Sequence, residues 1–141
     1  MSQAIFTLEQ LEAGDACDYA CQLFQKIFGK EVVVDEKTAL RVALLFNWEW
    51  GARLLNADGY DQFLESKTTA LNEYVDKWNP YQAEQTAACK VAHEAYPNNV
   101  DYQVAIEPIY NKFNKSATRL RNEYKRALAV AWARAYMTGA V

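Results

Sequence analysis

The chain has 141 residues, is 51% hydrophobic and 13% aromatic, and carries a formal net charge of −3. That is enough length and apolar surface for one domain with a core, and it excludes a disordered polymer. A charge so close to balance points by itself to neither nucleic acid nor an anionic membrane, and no window holds the ~18 uninterrupted apolar residues needed to span a bilayer.

The charge is unevenly spread. Residues 1–66 hold 5 basic and 11 acidic side chains, whereas residues 101–141 hold 7 and 3, so an acidic head precedes a basic last helix. Three cysteines, Cys17, Cys21 and Cys89, form an odd set that suits a reducing compartment. The opening Met-Ser-Gln-Ala-Ile-Phe-Thr lacks a basic stretch followed by an apolar one, so export is not expected and a cytoplasmic location is.

Thr7 followed by Gln10 is a capping-box pattern and predicts a short helix from Leu8 to about Ala13. Asp15 is the expected cap of a second helix, Ala16 to Phe28, with Cys17, Ala20, Cys21, Phe24 and Phe28 on its apolar side and Gly29 ending it. Val32-Val33-Val34 is β-branched but short, and no partner strand is evident, so it reads as an extended connector. Asp35 is expected to cap a helix through Phe46, and Asn47 another from Trp48 to Leu55. Asp58-Gly59 reads as a turn.

From Tyr60 onward the pattern changes. Tyr60, Leu64, Leu71, Tyr74, Trp78, Tyr81, Ala88, Ala92 and Ala95 keep a three-then-four spacing, with Lys67 and Gln85 in two of its slots. Tyr102, Ile106, Ile109, Phe113, Ala117, Leu120, Tyr124, Ala127, Ala131 and Ala135 repeat it. Each series is a narrow stripe along one helix, as in a coiled-coil seam. The first stays in phase across Pro80, which predicts a kink rather than a break. Pro97-Asn98-Asn99 is a turn, and the last helix starts at about Asp101 or Pro108 and ends at Gly139. The expectation is an all-α fold: a head over residues 1–58 and a long antiparallel hairpin over 59–141, folding together in one unit, with arms of roughly 50 Å.

No catalytic constellation stands out. The single histidine, His93, falls off the apolar stripe, and Glu94 points elsewhere around the helix. There is no phosphate loop, nucleophile elbow or zincin-type pair of histidines. Cys17 and Cys21, with Cys89 and His93, formally supply a Cys₃His zinc set, but without a Cys-x₂-Cys knuckle. Cysteines among apolar residues read more simply as small buried hydrophobes, so neither metal nor cofactor is expected. Asn56, Asp58 and Asp61 lack the glycine and terminal glutamate of a calcium loop and read as a turn and helix cap.

Two features suggest a binding surface. Lys112, Lys115, Arg119 and Arg126 fall on one face of the last helix, roughly opposite the seam, with Arg121 and Lys125 flanking them. Such a stripe meets an acidic protein surface or tracks phosphates, and an ordinary solvated face is the plainer alternative. Exposed interleaved aromatics, used by single-strand binders, are missing. Trp48 and Trp50 stand two apart and point in different directions. Core is the simpler role for both, and an exposed Trp would be an interface anchor.

Residues Leu11 to Leu55 also carry an ordered set of signals: Cys17, Leu23-Phe24, Ile27-Phe28-Gly29, Val32-Val33-Val34, a capped Ala/Leu helix, then Phe46-Asn47-Trp48-Glu49-Trp50-Gly51-Ala52-Arg53-Leu54-Leu55. This order resembles a module of small proteins encoded by tailed bacteriophages, whose relatives continue into Ala- and Tyr-rich long helices similar in flavour to Ala127–Tyr136. The resemblance covers about a third of the chain well, and its motifs concern packing, so no site residue follows from it. On a phage origin the first of three competing roles is an accessory protein in the host cytoplasm that binds and blocks a host or defence protein, for example a CRISPR effector. A nucleic-acid-associated protein using the basic stripe, and a structural or assembly protein, are the alternatives.

Overall fold

A computed structural model of the chain describes residues 3–139. The fold is all-α apart from one small pair of strands. In chain order the elements are β1 (Ile5–Thr7), α1 (Leu8–Ala13), α2 (Asp18–Phe28), β2 (Glu31–Val33), α3 (Glu36–Arg41), a 3₁₀ helix (Trp48–Leu54), α4 (Ala57–Ala95) and α5 (Asn99–Gly139). The two long helices form the expected hairpin after a small N-terminal part. The chain divides into two compact units: one runs up to Ala70 and resumes from Tyr124, and the other is Leu71–Glu123.

Caps set most boundaries in the first unit. Thr7 Oγ1 accepts from the Gln10 amide at 3.1 Å while Gln10 Oε1 accepts from the Thr7 amide at 2.9 Å, the capping box expected for α1. The second helix starts later than Asp15 suggests. Asp15 sits at φ 60°, a left-handed position that Asp tolerates, so it closes the turn after α1, and Cys17 precedes α2. Cys17 is therefore exposed and Cys21 half-buried, which corrects the reading of both as buried side chains.

The valine segment also differs from expectation. It pairs antiparallel with β1, with Ile5 against Val33, Phe6 against Val32 and Thr7 against Glu31. The partner was hidden because its three residues run straight into the α1 cap. Asp35 caps α3 as expected, its Oδ1 accepting from the Thr38 amide at 2.6 Å. But α3 ends at Arg41, and tight turns follow, with the Phe46 amide bonding to the Val42 carbonyl at 2.9 Å. These turns bury Val42, Ala43 and Phe46 together and leave Leu44 and Leu45 outside. Asn47 caps a 3₁₀ rather than an α-helix.

Asp58-Gly59 is not a turn. Asn56 Oδ1 accepts from the Gly59 amide at 2.7 Å, so both residues lie in the first turn of α4. A Cβ on Gly59 would stand 3.0 Å from the Ala135 carbonyl oxygen, so close packing against α5 favours glycine there.

The core of this unit is aromatic. Phe6, Leu11, Phe24, Phe46, Phe63 and Trp132 are its largest fully buried side chains. Trp132 stacks between Trp48 at 4.8 Å and Tyr136 at 4.9 Å, with Phe6 edge-on at 5.1 Å. Burial of each such side chain contributes about 1.5–3 kcal/mol. Lys67, in a slot of the α4 stripe, is held by Glu49 of the 3₁₀ helix at 2.7 Å, and that hydrogen bond raises its pKa.

In the second unit, α4 and α5 pass through Pro80 and Pro108 without a break. Asn98 Oδ1 accepts from the Val100 amide at 2.9 Å, so α5 starts at Asn99, earlier than either expected position. Trp78 meets Phe113 at 4.6 Å and His93 meets Tyr102 at 5.3 Å, which sets the antiparallel register. Here the stripe is only thinly covered: Ala92, Ile106, Ala117 and Leu120 are buried, while Tyr74, Trp78, Tyr81 and Phe113 are half-buried. Two helices alone cannot enclose seam side chains of that size.

Candidate functional site

The site lies in the two-helix arm, Leu71–Glu123. Three polar contacts tie α4 to α5 along one flank of their seam. Lys77 Nζ lies 3.4 Å from Glu123 Oε2. Arg119 Nη2 donates to Tyr81 Oη at 2.6 Å, with the guanidinium carbon 5.9 Å from the tyrosine ring centre. Lys112 Nζ donates to Glu84 Oε1 at 2.8 Å, and this hydrogen bond, followed by the charge of Glu84, raises the Lys112 pKa.

On the same flank, toward the hairpin turn, α4 and α5 line a cavity of about 300 Å³. Its floor is Ile109 and Phe113, and its walls include Ala88, Pro108 and Ser116. The local cause is readable. Ala88 and Ser116 fill little of their interhelical positions. Pro108 has no N–H, which leaves the Val104 carbonyl without its usual helical donor. The rim is polar, with Tyr81, Glu84 and Lys112. An apolar floor under a few charged rim groups suits a protruding apolar side chain next to a charge.

The structure redistributes the basic stripe. Lys112 and Arg119 do not stand opposite the seam: at about 100° per residue they fall on its flank, within reach of α4. Glu84 answers the charge of one, and the Tyr81 ring and hydroxyl engage the other. Lys115 and Arg121 are exposed on the same unit. Lys125 and Arg126 belong to the first unit, where Arg126 lines a shallow depression with Leu40, Val130 and Arg134.

Trp48 is not an interface anchor. It is 2% exposed, and its indole N–H donates to the Ala39 carbonyl at 3.2 Å. Trp50 is half-buried, with Phe46 at 5.2 Å and the exposed Tyr19 at 6.1 Å. His93 is exposed beside Tyr102, as expected of a surface histidine. Among the described residues no three His, Cys, Asp or Glu side chains are grouped so as to hold a metal ion. No helix among them is long and apolar enough to cross a membrane.

Sequence reasoning missed the groove. Its signal was the pair of small residues Ala88 and Ser116 near the two helix-interior prolines, a pattern easily read as neutral helix filler.

The chain matches no protein-family model, no curated protein and no solved structure at a significant level.

Proposed function

We propose that the protein acts by binding another protein, and that the groove between Tyr81–Ala88 and Pro108–Ser116 receives an apolar side chain of that partner. The observation carrying this reading is the cavity itself: about 300 Å³ of apolar space open at the surface, with cationic Lys112 at its rim. The ion pair of Lys112 with Glu84 is exposed, and such pairs exchange partners at little cost. A carboxylate beside the inserted side chain would therefore meet Lys112, and Arg119 lies close by on the same flank, which favours a partner with an acidic surface.

The chemistry of the groove argues against catalysis there. Ser116 and Lys112 stand four residues apart on one helix face and superficially suggest a nucleophile and base. A lysine base must be neutral, whereas the hydrogen bond that Lys112 donates to Glu84 raises the Lys112 pKa and favours its charged form.

The resemblance of residues 11–55 to a phage module extends the proposal: a phage accessory protein acting in the host cytoplasm on a host or defence protein, such as a CRISPR effector. Photo-crosslinking in host lysate, from a benzoylphenylalanine that replaces the rim residue Tyr81 and leaves the space beside Ala88 open, tests it. One protein captured from position 81 but not from position 73, with no retention of duplex or single-stranded oligonucleotide at physiological salt, is the expected result. Capture of nucleic acid, or equal labelling from both positions, would overturn it.

A further inference from the structure

The flank of the arm across from the groove differs in composition. Helical spacing sets Leu71, Val75, Gln82, Cys89 and His93 along α4 on that side. Along α5 it sets Glu107, Tyr110, Asn114 and Arg121. Leu71, Val75 and Tyr110 are 43%, 41% and 43% exposed. A depression of about 430 Å³ runs along α5 between Val104, Glu107 and Tyr110. The groove flank holds Lys77, Glu84, Lys112, Arg119 and Glu123, whereas this one offers mainly amides and apolar groups. Depletion of charge around apolar and aromatic residues marks the centre of an interface.

The few charges present also name the occupant. The pairing of Glu84 with Lys112 places Gln82 and Asn114 at one level of the antiparallel arm. Seven residues, two turns, to either side of Gln82 stand Val75 and Cys89. Seven to either side of Asn114 stand Glu107 and Arg121. A two-fold axis crossing the arm at that level would set Glu107 against Arg121 of the second copy, and Arg121 against Glu107 of the second copy. It would also bring Val75 onto Cys89 of the second copy. Gln82 and Asn114 would each meet their own counterpart, and an amide both donates and accepts, so it is complementary to itself. Such a face fits its own copy and is isologous in the sense that a two-fold dimer requires.

We infer that this flank binds a second copy of the chain, giving an antiparallel four-helix arrangement of two arms centred on Gln82 and Asn114. The second arm supplies the cover that the thin seam lacks. The groove lies on the other flank, so dimerisation and partner binding stand or fall separately.

Sedimentation velocity of the full chain, at up to about 100 µM, reads the outcome directly. A dimer is expected. Glu107→Arg or Arg121→Glu sets like charges together and should weaken dimerisation at least about tenfold, and the two combined should restore it. Both positions are exposed, and circular dichroism confirms that each variant keeps its helix. A monomer at every concentration, or a dimer in which either reversal has no effect or the combined variant is no better than the singles, would overturn the inference.

Discussion

The indole of Trp132 lies directly over Gly51: a Cβ built there would be 2.8 Å from Cζ2 and 3.0 Å from Nε1. The indole nitrogen is buried and, among the described residues, has no hydrogen-bond partner. Glycine at this point of the 3₁₀ helix is thus a matter of space, and it lets the central tryptophan stack between Trp48 and Tyr136. Gly51→Ala should destabilise the protein by about 1–3 kcal/mol, as overpacking does. Introducing Trp132→Phe as well should recover part of the Gly51→Ala penalty, because the smaller ring vacates the clash. Urea titration of the four chains measures the coupling; additive effects would show that the contact is not what fixes Gly51.

Trp48 and Trp50 should separate clearly by truncation. Trp48 is buried and hydrogen-bonded to the Ala39 carbonyl, so Trp48→Ala should cost about 3–5 kcal/mol. Trp50 is half-buried and should cost visibly less. Thermal melts compare them, and equal losses would contradict the placement.

Asp35 links stability to pH. Its pKa is lowered, first by the hydrogen bond from the Thr38 backbone amide and then by that from the Thr38 side chain. A lowered folded-state value means that Asp35 contributes stability above its ordinary range, near 3.9, and that this contribution fades as pH falls through the lower value. Asp35→Ala should cost about 1 kcal/mol at neutral pH. Asp35→Asn keeps an acceptor and should lose less stability between neutral and acid pH than the natural chain. An unchanged acid dependence in Asp35→Asn would refute the linkage.

Much of this fold was legible in the sequence because its signals are local. Thr7 with Gln10, Asp35 and the two spaced stripes each act within a few residues, and each started or formed a helix as expected, although the one capped by Asp35 ends at Arg41 rather than Phe46. What was missed depended on distant partners. β1 is three residues long and becomes a strand only because Val32 and Val33 lie beside it. Trp132 sits one position off the stripe running through Ala131 and Ala135, so periodicity hid a fully buried ring at the centre of the aromatic core. Lys112 and Arg119 share a face as the spacing requires, but the reach of Glu84 and Tyr81 from the other helix decides what that face does. Ala88 and Ser116 acquire meaning only from the gap they leave.

The proposal of a protein-binding groove is tested most directly by filling it. Ala88→Trp adds bulk to the wall of the cavity at a half-buried helix position. Capture of the protein crosslinked from the groove should then fall at least about tenfold, a loss of about 1.4 kcal/mol, with the helical signal and melting temperature unchanged. Capture at the natural rate by a folded Ala88→Trp chain would show that the partner does not enter the groove.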